Sequence, residues 1–488
     1  MAKTAEVEER APQARASSSG AASDVGAAGP SRSQRIAAGK AARLTTPLEA
    51  HAQFAPTAPR DTVGLLLSQS ESRVPELVPV RHGRMLVSPF TYYRGAALPM
   101  AADLATTPTS GLRVQLCGDA HLSNFGAFAS PERRLVFDLN DFDETLPGSF
   151  EWDVKRLAAS VVVAGRDNGF TRKEIRKIVV SAVARYRLSM RAFAEQPLMA
   201  VWYAHLDVEE AVKSFKSQLE SKKFKLTEAA LAKARTRDST QALRKLTTVV
   251  DGHRRIISDP PLIVPAEELF TDLQSHEIYG ELRGLLGKYR RTLQSDRKRL
   301  VEQFTLIQLA RKAVGVGSVG TRAWILLLEA GDGDEHLFLQ AKEAQPSVLA
   351  GFAGRSKYSN QGQRVVAGQH LMQASSDIFL GWQRTTGRDG VDRDYYVRQL
   401  RDWKFSLPIE QMVPNGMSIY AGLCSWTLAR AHACSGDRVA LGAYMGGSDK
   451  FDNAVADFAE TYADQNERDH AELAAAVAAG RAEAQAGL

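Results

Sequence analysis

Residues 114–145 read VQLCGDAHLSNFGAFASPERRLVFDLNDFDET and place many polar side chains beside the apolar runs VQL and LVF. Burying a carboxylate without a partner costs on the order of several kcal/mol. Acids beside core strands are therefore expected to have a binding partner or a catalytic role. The stretch therefore predicts a metal site or a proton-transfer site. Its candidate residues are Asp119, His121, Asn124, Asp138, Asp141, Asp143 and Glu144.

The spacing within this stretch is specific. The apolar runs predict short strands at 112–117 and near 134–139, joined by a loop and a turn at SPER. Asp119 precedes Asn124 by five residues, and Asp138 ends the second strand. Kinase-like enzymes use this order to place a base and two metal ligands around ATP phosphates. Asx turns explain any one of these acids equally well, but they do not explain the ordered set.

The composition is that of a globular protein with one large or two moderate cores. The 488 residues are 44% hydrophobic and carry a net charge of +6 that is spread along the chain. Because no nucleic-acid-binding motif accompanies this charge, nucleic acid is not an expected partner. The three cysteines lack metal spacing, and neither a secretory signal nor a membrane-length apolar run is visible. These features predict a cytoplasmic protein.

Shifts in composition divide the chain into segments. The N-terminal part is rich in Ala, Ser, Gly and Arg and predicts disorder, with order expected from about residue 61. A helix after the acidic stretch is expected to end at Gly169, which is placed as a C-cap. The expected segments are a disordered tail (1–45), a segment with the acidic stretch (46–169), a helical region (170–310), a strand-rich region (311–403) and C-terminal helices (404–488).

A second motif lies downstream, where GVGSVG places Gly315, Gly317 and Gly320 in GxGxxG spacing around Ser318. Glycines so spaced let backbone amides approach a polyphosphate without a clash from Cβ. The rival interpretation, a dinucleotide fingerprint, requires a helix after the glycines. Here RAWILLLEAGDGDEHLFLQAKEA predicts two antiparallel strands around the turn GDGDE, which favours a phosphate loop between strands.

Lys342 lies on the second of these strands, a position typical of a lysine that pairs with α and β phosphates. A helix near 361–374 and strands at DIFLGW and DYYVRQL are expected after it. Arg94, Arg398 and Lys404 could add positive charge near phosphates or substrate, although a structural ion pair is the more frequent use of such residues.

The acidic stretch resembles the catalytic segment of the aminoglycoside phosphotransferase branch of the protein-kinase-like fold, which runs approximately HGDxHxxN, hairpin, apolar strand and Asp. Carried over by position, the resemblance implies that Asp119 is the catalytic base that orients a substrate hydroxyl. It implies that Asn124 and Asp138 bind Mg²⁺, with Asp141 as the reserve ligand.

The same resemblance assigns supporting roles. His121 would be the catalytic-loop residue that orients the loop, and Asp153 on the following helix would brace it. Cys117 stands where many relatives have His, which changes the packing behind the loop. The chain also resembles, over roughly residues 80–470, a bacterial family catalogued as domain of unknown function 2252. The matching blocks are SPFTYYRG, GDAHLSNFG, VGVGSVGTR and RQLRDWK.

The order of the two motifs departs from that of kinases, in which the glycine loop comes first. The resemblance therefore implies a circular permutation, which is tolerated where the joined termini are exposed and close. The expected fold class is α+β, a kinase-like two-lobe fold with a small antiparallel-sheet nucleotide lobe and a large, mainly helical lobe. The residues expected to bind ATP are Gly315, Gly317, Ser318, Gly320 and Lys342, with Gln399, Leu400 and Arg401 as the hinge.

A second departure concerns the partner of Lys342. Kinases pair this lysine with a Glu on the next helix, where this chain offers only glutamines. Glu343, Asp377 or amide oxygens are the alternatives. The candidate glutamines are Gln361, Gln363, Gln369 and Gln373.

The sequence favours an ATP- and Mg²⁺-dependent phosphotransferase that acts on a hydroxyl of a small molecule or a protein. Three alternatives stay open. The missing helix acid suggests a nucleotide-binding regulatory module without turnover, and an inverted nucleotide would permit adenylyl transfer. The third alternative is a metal-dependent phosphoesterase built on Asp119, His121, Asp138, Asp141 and Asp143.

Overall fold

The computed structural model describes residues 29–56, 60–214, 239–272, 275–313, 315–331, 333, 335–387, 389–400, 403 and 406–487. Within these residues the α-helices are α1 (Arg32–Thr45), α2 (Thr62–Ser70), α3 (Val78–Met85), α4 (Pro89–Gly95), α5 (Ala97–Leu104), α6 (Phe150–Asp167), α7 (Arg172–Glu195), α8 (Leu198–Tyr203), α9 (Val208–Ser214), α10 (Ser239–Leu246), α11 (Ala266–Leu269), α12 (Ser275–Arg290), α13 (Ser295–Val301), α14 (Ala350–Ala353), α15 (Gln361–Met372), α16 (Pro414–Ser435), α17 (Arg438–Met445) and α18 (Lys450–Ala478).

The β-strands of the same residues are β1 (Arg113–Leu116), β2 (Phe125–Ala129), β3 (Leu135–Leu139), β4 (Leu146–Ser149), β5 (Leu206–Asp207), β6 (Thr247–Val250), β7 (His253–Ile256), β8 (Ile263–Pro265), β9 (Thr305–Lys312), β10 (Ala323–Ala330), β11 (Glu335–Ala344), β12 (Gly381–Thr386) and β13 (Asp392–Gln399). The structure is thus a mixed α+β fold whose strand pairs are antiparallel, as the sequence predicts.

The largest sheet has six strands in the order β12, β13, β11, β10, β9, β8. Both of its faces are covered. Ile325 and Leu327 of β10 pack with the α10 residue Leu246 on one face, whereas Leu328 packs with residues of α12 and α13 on the other. The glycine loop connects β9 to β10, which lie side by side in the sheet.

A second core lies among α6, α7, α16 and α18, together with the small sheets that carry the acidic stretch. Here β1 pairs with β4, and β2 pairs with β3. Tyr420 of α16 donates its hydroxyl hydrogen to the carbonyl oxygens of Leu122 and Phe125, each at 3.0 Å. The acidic stretch is therefore held by the helical core on one side.

The prediction of a disordered tail over 1–45 is wrong for the part that the structure describes, because residues 32–45 form α1. A Cβ on Gly39 would clash with the carbonyl oxygen of Ala440 on α17, so the two helices pack very closely. Only small residues permit such a close contact. The Ala- and Gly-rich composition that suggested disorder therefore allows α1 to pack against α17. Order also precedes residue 61, since Leu48 and His51 are buried. Residues 1–28 lie outside the described residues.

The prediction of a helical region over 170–310 is wrong for part of its length. Strands β5 to β8 and most of β9 lie within it, and β8 and β9 extend the six-stranded sheet. The buried residues of β9 include Leu306, Leu309 and Ala310. Their spacing resembles that of the buried face of a helix. It arises because both faces of the sheet are covered. The charged stretch VKSFKSQLESKKFKLTEAALAKARTR (212–237), which is typical of solvated helix faces, falls largely outside the described part of the chain.

Other expected elements are confirmed. The hairpin after the glycine loop is β10 and β11, the helix near 361–374 is α15, and DYYVRQL lies on β13 except for its last residue. Gly169 follows the end of α6 with a φ of 72°. The strand expected at DIFLGW begins only at Gly381, four residues late. None of the described helices is long and apolar enough to cross a membrane.

Candidate functional site

A cavity of about 500 Å³ lies where the acidic stretch, the glycine loop and the segment from α2 to α4 meet. The residues in its wall come from segments that are far apart in the sequence. Predicted site residues in this wall are Asp119, His121, Asn124, Asp141, Asp143 and Glu144 from the acidic stretch, and Gly315, Gly317 and Ser318 from the glycine loop.

The predicted base, Asp119, is held by a buried arginine. Arg156 of α6 donates from Nε to Asp119 Oδ1 at 2.7 Å, and its Nη2 lies 2.6 Å from the same oxygen. Asn124 donates from Nδ2 to the backbone carbonyl of Asp119 at 2.7 Å. Because this bond uses the amide nitrogen, Oδ1 is the atom of Asn124 that remains to bind a cation.

The loop that carries Asp119 is braced by Asp153 of α6, as the sequence predicts. The carboxylate of Asp153 accepts from the amides of Cys117 at 2.7 Å and Gly118 at 3.1 Å. Gly118 has a φ of 91°, and a Cβ at this position would clash with the carbonyl oxygen of Glu144. Glycine is needed here for both reasons.

His121 is buried next to Asp119, with Nε2 at 3.5 Å from Asp119 Oδ2. Burial holds the pKa of His121 well below its usual range, and the charges of Arg156 and Arg94 act in the same direction. The ring is therefore neutral at physiological pH. Such a ring fits the predicted role of orienting the loop.

Lys342 is paired with two acids of the acidic stretch. Its ammonium contacts the carboxylate of Asp143 and lies 3.8 Å from Asp141 Oδ2. Tyr396, which is opposite Lys342 in the register of β11 and β13, donates to Asp143 Oδ1 at 2.8 Å. The partner of the lysine is thus Asp143, and neither Glu343 nor Asp377. Glu343 faces Arg322 instead, and Asp377 accepts from the amide of Gln399.

The electrostatics of this cluster follow from burial and charge. Burial alone would raise the pKa of Asp143, but the Lys342 ammonium and the Tyr396 hydroxyl outweigh it and hold this pKa below its usual value. The pKa of Asp141 is raised by burial and by the neighbouring charge of Asp143. Lys342 is only 3% exposed, and the two carboxylates raise its pKa against the effect of burial. The lysine stays charged behind the cavity wall.

Asp138, the expected metal ligand, lies outside the cavity wall. Its carboxylate accepts from the amides of Leu139 at 2.8 Å and Ala374 at 2.9 Å, and burial raises its pKa. The strand ends one residue later at Leu139, and only the chain beyond it turns into the cavity. The reserve candidate Asp141, three residues later, lies in the wall.

The glycine loop is packed on the N-terminal helices. Val319 is fully buried in a cluster with Val74, Leu77 and Val80. Arg73 donates to the carbonyl of Val319, and the amide of Val74 donates to the carbonyl of Gly320 at 2.8 Å. The loop therefore forms a fixed wall of the cavity.

The loop also contacts the acidic stretch directly. Ser318 Oγ lies 3.4 Å from Asp143 Oδ2. Gly315 and Gly320 have φ values of 69° and 89°, and a Cβ on Gly317 would lie 2.9 Å from the carbonyl oxygen of Arg94. All three glycines are thus required by conformation or by close packing.

The predicted hinge does not line this cavity. Gln399 and Leu400 lie instead in the wall of a second cavity of about 300 Å³, together with Arg398 and Asn140. Arg398 donates to the carbonyl of Asn140 at 3.3 Å, which places it one residue from Asp141. Arg401 and Lys404 lie outside the described residues.

The donor set of the first cavity fits a magnesium ion better than a transition metal. Among the described residues, no group of three or more His, Cys, Asp or Glu side chains is placed to hold a metal. Mg²⁺ prefers oxygen ligands and is usually held by one or two carboxylates together with substrate phosphates and water. Asn124 Oδ1 and the Asp141 carboxylate are the residues that could hold it.

A family model described as "Uncharacterized protein conserved in bacteria (DUF2252)" matches residues 73–476. The chain belongs to this family. The predicted resemblance to it is therefore confirmed. No curated protein and no solved structure matches the chain.

The DUF2252 match begins at Arg73, one of the site residues that the sequence analysis misses. Arg156, Asp143 as the partner of Lys342, and Tyr396 were missed as well. The register of β11 and β13 brings Tyr396 to Lys342, and no local pattern reveals such a contact. For Arg156 a signal exists, because it follows Asp153 by three residues and so lies on the same face of α6.

Proposed function

We propose that this DUF2252 protein is an ATP- and Mg²⁺-dependent phosphotransferase that transfers phosphate to a hydroxyl group, built on a circularly permuted kinase-like two-lobe fold. The observation that carries the proposal is the pairing of Lys342 with Asp143, 199 residues away, beside the glycine loop and Asp119. Kinase-like enzymes place a base, metal-binding groups and a glycine loop around one polyphosphate; Lys342, which the resemblance assigns to the phosphates, is paired with the acids behind the wall instead.

Each residue has a role in this proposal. The backbone amides of the glycine loop bind the phosphates, and Ser318 keeps the loop against Asp143. When bound, Mg²⁺ would neutralise charge on the phosphates, and Asn124 and Asp141 would hold it. Lys342 keeps the two carboxylates in place from behind the wall.

Asp119 acts on the acceptor. Arg156 fixes one of its carboxylate oxygens, so the carboxylate has a defined direction into the cavity. It orients the acceptor hydroxyl and takes its proton as the phosphorus–oxygen bond forms and ADP leaves. Positioning and electrostatic stabilisation supply most of the rate in such reactions.

The alternatives have less support. The regulatory module was suggested by a missing partner for Lys342, and Asp143 now fills that place. The phosphoesterase requires Asp138 as a ligand, but Asp138 lies outside the cavity wall. Adenylyl transfer uses the same groups and is separated from phosphoryl transfer by the experiment below.

The test follows the label from ATP. The full chain is incubated with Mg²⁺, a metabolite extract and ATP labelled at either the γ or the α phosphate. We expect only the γ label to move to an acceptor. Transfer of the α label would establish an adenylyl transferase, and nucleotide binding without transfer would establish a regulatory module.

A substitution makes the test specific. Asp119→Asn should lower turnover by about 10² to 10⁴, the range for general acid–base groups, and should leave MgADP affinity within about threefold because Asp119 acts on the acceptor. Asp457→Asn, which changes an acid of an exposed ion pair with Arg176, is the matched control. Unchanged turnover in Asp119→Asn would contradict the proposed base.

A further inference from the structure

The turn between β3 and β4, residues 140–145, carries Asp141, one of the two residues that could hold a metal. One oxygen of Asp141, Oδ1, accepts from the amide of Asp143 at 3.1 Å. The amide of Asn140 donates to the carbonyl of Asn124, the other such residue, at 2.9 Å. Because Asp141 is tied to the backbone of its own turn, the direction of its carboxylate follows the conformation of that turn.

Arg364 of α15 holds the C-terminal half of this turn. Its Nη2 donates to the carbonyl oxygen of Asp143 and its Nη1 to that of Thr145, each at 2.8 Å. Nη2 also donates at 2.8 Å to the carbonyl oxygen of Gln345, three residues after Lys342. Arg364 is 2% exposed. One buried guanidinium group thus fixes the backbone on both sides of the ion pair between Lys342 and Asp143.

The C-terminal end of α15 holds the chain before the turn. Gln373 donates from Nε2 to the carbonyl oxygen of Leu139 at 2.6 Å, and Gln369 donates to Gln373 Oε1 at 2.9 Å. The amide of Ala374 donates to Asp138 at 2.9 Å. Asp138 therefore has a structural use outside the cavity. Both sides of the turn are bound to the same helix.

Arg364 does not line the first cavity, so it reaches a bound metal only through the turn. Its charge and its hydrogen bonds act in opposite directions. The charges of Glu144 and Asp143 act on Arg364, and a cation this close to the acids opposes the binding of a second cation. The hydrogen bonds of Arg364 favour metal binding if they hold Asp141 in the right direction. A substitution can therefore tell the two effects apart by the sign of the change.

We propose that Arg364 is a positioning residue of the metal site, which holds Asp141 in the direction that binds Mg²⁺ by fixing the turn to α15. This inference rests on the proposed phosphotransferase function. Helix α15 offers no acid to Lys342, and it holds instead the backbone of the acid that pairs with the lysine. Residues that orient a metal ligand typically account for about 10- to 100-fold in metal affinity. The position of α15 thus controls the metal affinity of the site.

The test measures metal binding and needs no turnover. Mn²⁺, which accepts the same oxygen ligands as Mg²⁺, is titrated into the full chain in excess over ADP, and free Mn²⁺ is followed by electron paramagnetic resonance. Arg364→Lys keeps the charge but lacks the planar fork that reaches three carbonyl oxygens. We expect it to weaken Mn²⁺ binding by about 10- to 100-fold. The affinity for ADP without metal, measured by calorimetry, should stay within about threefold, because Arg364 lies outside the cavity wall.

A second substitution separates position from charge. Arg364→Gln removes a positive charge near the acids, which by itself would strengthen Mn²⁺ binding. Since it also removes the hydrogen bonds to the turn, we expect Mn²⁺ binding to weaken by about tenfold or more. His370→Gln, at an exposed position of α15, is the matched control and should bind Mn²⁺ like the wild type.

Gln373→Leu loosens the other side of the turn. It should weaken Mn²⁺ binding by about two- to tenfold, the loss of one neutral hydrogen bond. This variant supplies the result if thermal unfolding shows that neither Arg364 variant folds. In the metal-free chain, the amides of residues 141–145 should exchange with deuterium roughly 10- to 100-fold faster in Arg364→Lys, while β9 keeps its protection.

The outcomes separate this inference from the proposed function. Stronger Mn²⁺ binding by Arg364→Gln would show that Arg364 acts through its charge, and this result would overturn the inference. Equal Mn²⁺ affinity in the wild type and Arg364→Lys, or a parallel loss of metal-free ADP affinity, also overturns it while the phosphotransferase stands. If the wild type binds no Mn²⁺ in the presence of ADP, the proposed function is wrong and the inference falls with it.

Discussion

His51 shows how strongly burial controls one titratable group away from the cavity. Its side chain is fully buried, its Nε2 lies 2.6 Å from the Tyr444 hydroxyl, and Glu151 is 3.9 Å away. Burial lowers the pKa of His51 to about 3, the charge of Lys155 acts in the same direction, and the carbonyl of Pro108 opposes them weakly. The ring is neutral in the folded protein.

This neutrality predicts a pH-dependent stability. Below pH 6.5 the unfolded chain takes up a proton at His51 and the folded chain does not, so stability is lost as pH falls toward 3, by about 1.4 kcal/mol per unit. The variant His51→Gln lacks this group. We therefore expect the stability advantage of the wild type over the variant to shrink by about 3 kcal/mol between pH 6.5 and pH 4, measured by urea unfolding.

The exposed His205 provides the matched comparison. His205→Gln should keep a constant stability difference from the wild type across the same pH range. A constant difference between the wild type and His51→Gln would mean that the folded protein also protonates this ring.

The sequence was most informative about which residue types form the site. It was least informative about which side chains contact one another. The types and spacing of Asp119 and Asn124 predicted a shared site, and both lie in one cavity, whereas Asp141 was only the reserve candidate beside Asp138. Asp138 lies outside the wall because the strand continues to Leu139, and strand ends are weakly marked in a sequence. Asp143 pairs with Lys342 across 199 residues, and only the folded chain brings the two together.

At the scale of elements, the glycine loop is packed against the N-terminal helices and is not a mobile lid over the cavity. Val319 is fully buried between the loop and the N-terminal helices, and the loop carbonyls accept from Arg73, Arg84 and Val74. Its glycines were recognisable from the sequence. Its packing was not, because valines between glycines fit a mobile loop as well as a buried one.

Loosening this contact should open the loop alone. Val319→Ser replaces a buried apolar side chain with an unpaired hydroxyl, at a cost of about 1 to 3 kcal/mol. We expect loop amides at 315–321 to exchange with deuterium roughly 10- to 100-fold faster, while β11 keeps its protection. Val391→Ser, at a half-exposed position, is the control. Equal acceleration in β11 would show that the loop is not a separate cooperative unit.

Element types were predictable where one face meets solvent or where turns are marked. The hairpin of β10 and β11 follows from its apolar runs and its glycine-rich turn. Strand β9 was missed because it is covered on both faces and therefore lacks alternation. Helix α1 was missed because small residues make its contact with α17.

At the scale of the whole molecule, the folded unit is larger than the region that matches the family. Leu48 and Leu66 precede residue 73 and are buried. At the other end, the amide of Gln485 donates to the carbonyl of Pro79 at 2.8 Å, and the carbonyl of Glu483 lies 2.8 Å from His82 Nδ1. Leu66 shares a buried cluster with Met85 of α3, so residues from both flanks pack on this helix, which supports the glycine loop through the Val80 cluster.

Arg60 is the charged link between these distant parts of the chain. It donates to Asp103 of α5 at 2.7 and 2.8 Å and to Asp469 of α18 at 2.7 Å. The side chains of the two acids are 5% and 2% exposed. One cation thus compensates two buried carboxylates, which would otherwise repel each other.

Removing this cation should destabilise the whole molecule. Arg60→Met leaves two buried charges without compensation, and we expect the free energy of unfolding to fall by about 3 to 5 kcal/mol at pH 7, measured by urea unfolding. Adding Asp103→Asn and Asp469→Asn removes the repulsion, so the triple variant should recover most of the loss. Arg172→Met, which removes an exposed arginine paired with Glu460, should cost less than about 1 kcal/mol. If Arg60→Met costs no more than Arg172→Met, these parts of the chain are held together by apolar packing alone.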